Sequence, residues 1–177
     1  FAGVVDVVPA GVSEHLLGGN RDAGPHRLEA AGRKGIPQVI TPCGFDMLSC
    51  GPLSRRDSND PLWSDRNLAE RKTFIPDEFR VQVRSNAQEL RSIAAAVAEK
   101  LNKAKGPVKF FIPTRGWSTL SVEGADLHDP QSDVVFAPAL KEHLRDEIEV
   151  REEDAEVTSK AFARLLVEAL EAMMKNR

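Results

Sequence analysis

Four apolar runs, each separated from the next by a stretch of helical period, limit what this chain can become. "GVVDVVPAG" (Gly3–Gly11), "IPQVIT", "GPVKFFIP" (Gly106–Pro113) and "EIEV" (Glu147–Val150) read as short buried strands. Between the second and third, Leu90, Ile93, Ala94, Val97 and Leu101 form one apolar stripe at helical spacing. After the fourth, Phe162, Leu165, Leu166, Ala169, Leu170 and Met173 form another. Apolar strands alternating with amphipathic helices predict an α/β fold. The expected architecture is a mostly parallel sheet with helices on both faces, three-layered and Rossmann-like or flavodoxin-like. Right-handed crossovers would then bring every strand-to-helix loop to one edge, where ligands of such sheets bind.

Local signals fill in the rest. Ser13 is placed to cap a short helix through Leu17, which Gly18 and Gly19 would stop. Pro25 suits the first turn of a helix running to Lys34, with Gly35 as its stop. "PCGFDMLSCGP" reads as a loop or broken helix. Residues 51–84 lose the pattern and read as an excursion, either a hairpin of "KTFI" and "RVQV" or an arm reaching a partner. Ser85 and Gln88 have capping-box spacing. Pro138 fits the first turn of a helix ending near Arg145.

The length of 177 residues suffices for one domain with a core. A net charge of −3 argues against nucleic acid as a partner. No apolar run approaches the roughly 20 residues of a membrane span. Cys43 and Cys50 have no second pair and no His at metal spacing, so zinc is not expected and a cytoplasmic setting is. The first residue is Phe1, next to a strand-like run, which suggests a piece of a longer protein.

The topology gathers four loops: Pro9–Glu14, Thr41–Asp46, Thr114–Ser121 and Glu152–Thr158. Their polar residues are Ser13, Glu14, Asp46, Arg115, Ser118, Thr119, Glu153 and Asp154. "PTRGWSTLS" is the most promising. Arg115 has the fork that pairs with phosphate or carboxylate, Gly116 permits close backbone approach, and Ser118 and Thr119 supply hydroxyls. The bland alternative is a turn with a surface Arg and a buried Trp117. The glycine turn at Gly18–Gly19 and Gly24–Pro25 is either an anion-binding helix start or a plain cap and restart. Asp46 and the Glu153–Asp154 pair are candidates for water-mediated metal binding or proton transfer; Glu153 and Asp154 equally suit a helix cap. Asp6, within the first strand, needs a partner if buried. Cys43 follows a strand and precedes Gly44, a position for a nucleophile or for a bystander thiol.

In order along the chain stand Glu14 with "LLGG", "AGPHRLEAAGRKGIPQVITP", Asp46, "GPVKFFIPTRGWS", "HDP" at His128–Pro130, and "VREED". This set resembles the C-terminal half of the ATP-binding domain shared by the tomato mosaic virus resistance protein and many uncharacterised bacterial proteins. The resemblance runs from Gly3 to about Phe162. It implies a second domain of a two-domain protein, with an N-terminal partner domain, ATP binding with Mg²⁺ as a candidate companion, and a homodimer. Nucleotide contacts on this half are expected at Glu14, Gly18, Gly19, Asp46, Arg115, Gly116 and Ser118. The family usually has a His-Asn-Pro-like segment before an Arg. Here "FIPDEFRVQVRS" keeps the Arg as Arg84 but has Pro76 and Asp77 in that segment. The expected function is a nucleotide- or phosphate-ligand-binding domain. The alternatives are a dimerisation or interaction domain, and an enzyme on a small carboxylated or phosphorylated metabolite with Asp46, Asp154 or Glu14 as base and Arg115 as anchor.

Overall fold

Four strands lie parallel in sequential order. The computed structural model describes residues 1–175. It has strands β1 (Val4–Asp6), β2 (Gln38–Ile40), β3 (Met47–Ser49), β4 (Thr73–Phe74), β5 (Gln82–Arg84), β6 (Val108–Pro113) and β7 (Glu149–Glu153). Its helices are α1 (Gly11–Leu17), α2 (Glu29–Lys34), α3 (Pro61–Ser64), α4 (Ala87–Asn102), α5 (Pro130–Asp133), α6 (Phe136–His143) and α7 (Lys160–Lys175). The main sheet runs β1-β2-β6-β7, all parallel, with Ile40 opposite Phe110 and Phe110 opposite Val150. The expected three-layer α/β fold is therefore observed.

Sequential order has a consequence for the layers. Successive right-handed crossovers put α1, α4 and α6 on the same face. Their apolar residues meet Ile40, Phe110 and Ile112 there, with Phe136 touching the rings of Phe45, Phe110 and Trp117. The opposite face is covered by α7, whose Phe162, Leu166 and Met173 pack on Val39 and Phe111. The alternation Val39/Ile40 and Phe110/Phe111 assigns neighbouring residues to opposite faces, as strand period requires. Among the described strands the order never reverses, so the main sheet has no switch-point crevice of the doubly wound kind.

Several local readings are corrected. "PCGFDMLSCGP" is neither loop nor helix throughout, because Met47–Ser49 forms β3 in a second, antiparallel sheet ordered β3-β5-β4. The hairpin of "KTFI" and "RVQV" is present as β4 and β5. The segment around it is anchored: Trp63, Leu68, Val81 and Val83 join the main core, and the Trp63 indole donates to the Cys50 carbonyl at 3.1 Å. The helix expected from Pro25 begins only at Glu29, since Leu28 takes a left-handed φ of 76°. The capping box sits one residue later than its spacing suggested. Asn86 accepts from the Glu89 N–H at 2.8 Å, and Glu89 accepts from the Asn86 N–H at 3.0 Å. Strand β7 extends to Glu153, and the start of α7 is held by Ser159, whose hydroxyl accepts from the Phe162 N–H at 3.2 Å. Glu153 and Asp154 therefore cap nothing.

Candidate functional site

The loops after β2 and β6 meet. Asp46 is fully buried, and its Oδ2 accepts from Ser118 Oγ at 2.6 Å. Ser118 is fixed in turn by Ser121, whose hydroxyl oxygen accepts from the N–H groups of Trp117 and Ser118 at 3.0 and 3.1 Å. Trp117 plugs the core below, edge-on to Phe136 at 5.1 Å. Gly116 has a φ of 135° and lies against Val122; a Cβ there would come within 2.8 Å of Val122 Cγ1. The same loop is zipped to the one after β7. Thr114 N–H donates to the Glu153 carbonyl, Arg115 N–H to the Ala155 carbonyl, and Val157 N–H to the Gly116 carbonyl.

Arg84 ties this rim to the second sheet. Its side chain is almost wholly buried, with Nη1 donating to the Asp46 carbonyl at 2.6 Å. Nη2 donates to the Asp129 carbonyl at 3.1 Å and to Asp133 Oδ1. Asp129 caps the short helix α5 and Asp133 ends it. Burial is the largest influence on Asp133 and pushes its carboxyl up to about 6. Asp46 and Asp129 act in the same direction by repulsion, while Arg84 opposes them.

Above these groups opens a cleft of about 210 Å³, lined by Thr114, Arg115, Gly116, Ser121, Glu123, His128, Pro130, Asp133 and Glu156. Arg115 stands exposed at its mouth. There it makes two hydrogen bonds to the Asp154 carboxylate, at 2.6 and 2.7 Å. A smaller apolar cleft adjoins through Thr114, Pro130 and Asp133, with Ile112, Trp117, Val134 and Ala137 in its wall.

The remaining sequence candidates lie apart from this cluster. Glu14 is fully buried in α1, where its carboxylate accepts from the Ser49 N–H at 3.1 Å and from Arg21 Nε at 3.2 Å. It joins α1 to the far end of β3 from Asp46. Gly18 is the left-handed cap of α1, and Gly19 packs against the Glu14 carboxylate. The glycine turn is thus a helix stop and a close approach. Ser13 bonds its own helix through the Ala10 carbonyl, and Thr119 is exposed. Asp6, in β1, is paired with Arg27, which donates from Nη2 to Oδ1 at 2.8 Å.

Cys43 is not activated: burial, then repulsion from Asp46, pushes its thiol up to about 11. Among the described residues, no three His, Cys, Asp or Glu side chains converge as metal ligands. No described helix is long and apolar enough to cross a membrane.

Sequence reasoning missed Asp133 and gave Arg84 no role at the rim. Asp129-Pro130 was the available signal, since an acidic N-cap followed by Pro at the first helical position marks a helix start.

Fold and site together define an α/β domain with a polar cleft at the carboxyl rim of a parallel sheet. The chain belongs to the uncharacterised protein family UPF0261, whose C-terminal domain it matches over residues 1–174. It is similar to a UPF0261 protein of Clostridium tetani, 30% identical over 174 residues, covering 98% of this chain and 41% of that protein. A UPF0261 protein of Brucella melitensis is 28% identical over 165 residues, covering 92% and 37%. The ToMV resistance protein Tm-1 of Solanum lycopersicum is 28% identical over 178 residues, covering 99% of this chain and 22% of its own length. The chain spans about two-fifths of the length of these bacterial relatives.

Proposed function

We propose that this chain is the ligand-binding C-terminal domain of a longer two-domain protein, and that its ligand is a nucleotide such as ATP or another small phosphorylated molecule. The observation that carries the reading is the Ser118–Asp46 hydrogen bond of 2.6 Å. It locks two rim loops into one wall below Arg115 and Gly116. Arg115 supplies a cation to the cleft and His128 an imidazole, which suits the phosphate end of a ligand. Glu123, Asp133 and Glu156 outnumber them, so a polyanionic nucleotide enters best as its Mg²⁺ complex. The N-terminal domain would close the open side. A cytoplasmic setting suits the two unpaired cysteines.

Calorimetry on the full-length protein with ATP and Mg²⁺ tests the reading. Saturable heat that is lost in Arg115→Ala supports it; no heat at millimolar nucleotide overturns it.

A second reading, a homodimerisation surface, has its own observation. Phe79 and Ile75 are exposed near the turn joining β4 and β5, with Phe79 at 70%. Light scattering on wild type and Phe79→Ser tests it: a monomeric wild type ends it.

A further inference from the structure

Asp133 is the half-buried carboxyl that the cleft leaves half used. Arg84 donates to Oδ1, and no described residue donates a hydrogen bond to Oδ2. The other acids considered as bases are engaged elsewhere. Asp46 is closed over by Ser118, Glu14 is held by Ser49 and Arg21, and Asp154 is bound to Arg115 in the open. Asp133 lines both the polar cleft and its apolar neighbour.

The charges around it have mixed sign. Arg84 of β5 touches it, while Asp46 after β2 and Asp129, the cap of α5, repel it. The loop after β6 presents Arg115, Glu123 and His128. From β7 and its following loop come Glu152 and Glu156. Lys72, before β4, reaches the His128 carbonyl. A fully ionised oxyanion entering here meets a carboxylate oxygen with no proton between them. An oxyanion that brings its own proton converts that repulsion into a charge-assisted hydrogen bond. Phosphoryl groups hold such a proton near neutral pH, since their second ionisation falls at about pH 6–7. Sulfate does not.

We propose that Asp133 makes this cleft selective for protonated phosphoryl oxyanions, Oδ2 accepting from the P–OH group while Arg115 takes a bare oxygen. The inference rests on the reading that the cleft holds a phosphate-bearing ligand, and adds how it separates phosphate from other anions. Burial holds the Asp133 carboxyl close to a phosphoryl group in proton affinity, at about 6, so the two share one proton readily.

The test is calorimetric titration of the full-length protein with inorganic phosphate, ATP and sulfate, each alone, at pH 7.5 and 8.5. Wild-type affinity for phosphate should fall about tenfold over that step, with close to one proton taken up per phosphate bound. Asp133→Asn should change by less than about twofold over the same step, and should lose a preference for phosphate over sulfate that in wild type is at least about tenfold. The same slope with ATP identifies a terminal nucleotide phosphate as the occupant; a slope with phosphate alone identifies the free ion; both support the proposal. Phosphate binding independent of pH, or sulfate bound equally well, overturns it and leaves the nucleotide reading standing. The wild-type slope needs no variant, so a misfolded Asp133→Asn does not remove the test. Absence of binding by phosphate and by ATP alone overturns the proposal, and absence of heat with ATP and Mg²⁺ as well overturns the nucleotide reading beneath it.

Discussion

Ser118 Oγ donates to Asp46 Oδ2 across 2.6 Å, joining loops that the sequence separates by 72 positions. Asp46 is fully buried, and its other oxygen, Oδ1, accepts no hydrogen bond from the described residues. Ser118→Ala therefore leaves a buried carboxylate without its one side-chain donor. The expected loss is about 1–3 kcal/mol of stability, read from urea denaturation. A variant as stable as wild type would show that the hydroxyl is not what holds Asp46 in place.

Gly18 and Gly19 should differ sharply on substitution. Gly18 needs only its left-handed φ of 76°, so Gly18→Ala should cost about 1 kcal/mol. At Gly19 an added Cβ would lie 1.7 Å from Glu14 Oε2 and 2.6 Å from Leu48 Cδ1. Glu14 cannot withdraw without giving up the Ser49 N–H. Gly19→Ala should cost at least about 2–3 kcal/mol through overpacking. Denaturation midpoints of the two variants give the order, and the reverse order would contradict the packing seen around Glu14.

The topology was legible because strand and helix periods differ so clearly along this chain. Val39, Phe110 and Phe111 announce buried strands, and Leu90 to Leu101 announce one helix face. The meeting of Asp46 with Ser118 followed from parallel order alone, since both loops leave the same edge. What stayed hidden depends on neighbours distant in sequence. Met47–Ser49 is buried at all three residues, with α1 packed on it and β5 paired along its edge, so three residues between polar signals show no alternation and resemble a loop. Arg84 shares a strand face with the half-buried Gln82, opposite Val81 and Val83, and by pattern it points to solvent. Only the packing of α5 over it makes it a buried staple. Asp133 acquires its character in the same way. No local feature of "PQSD" shows that an arginine from β5 will reach it.

The Arg115–Asp154 pair is exposed on both sides, and exposed pairs contribute little to folding. Neither Arg115→Ala nor Asp154→Asn should shift the thermal midpoint appreciably. Ligand binding should separate them. Losing Arg115 removes the cation at the cleft mouth and should weaken ATP binding by about tenfold or more. Losing the Asp154 charge frees the guanidinium from an internal competitor and should strengthen binding a few-fold. Calorimetry on the full-length variants distinguishes the two. Weaker binding in Asp154→Asn would mean that Asp154 itself contacts the ligand or its metal.

The Asp133 carboxyl predicts a stability profile whose sign runs against the usual one for an acid beside an arginine. Burial raises it from an ordinary 3.8 to about 6, outweighing Arg84. Between about pH 4 and pH 6 the folded chain then holds this proton more tightly than the unfolded one. Its contribution to stability is complete below that window, declines as pH rises through it, and is constant above. The amide of Asp133→Asn does not titrate, so the stability difference between wild type and this variant cancels every other group to first order. That difference should move against wild type by roughly 2–3 kcal/mol between pH 4 and pH 7, at 1.36 kcal/mol for each of about two pH units between the folded and unfolded midpoints. Chemical denaturation of both proteins at several pH values in this range measures it. A difference moving toward wild type as pH rises would mean that Arg84 holds Asp133 ionised well below neutral pH, and that the ion pair prevails over its burial.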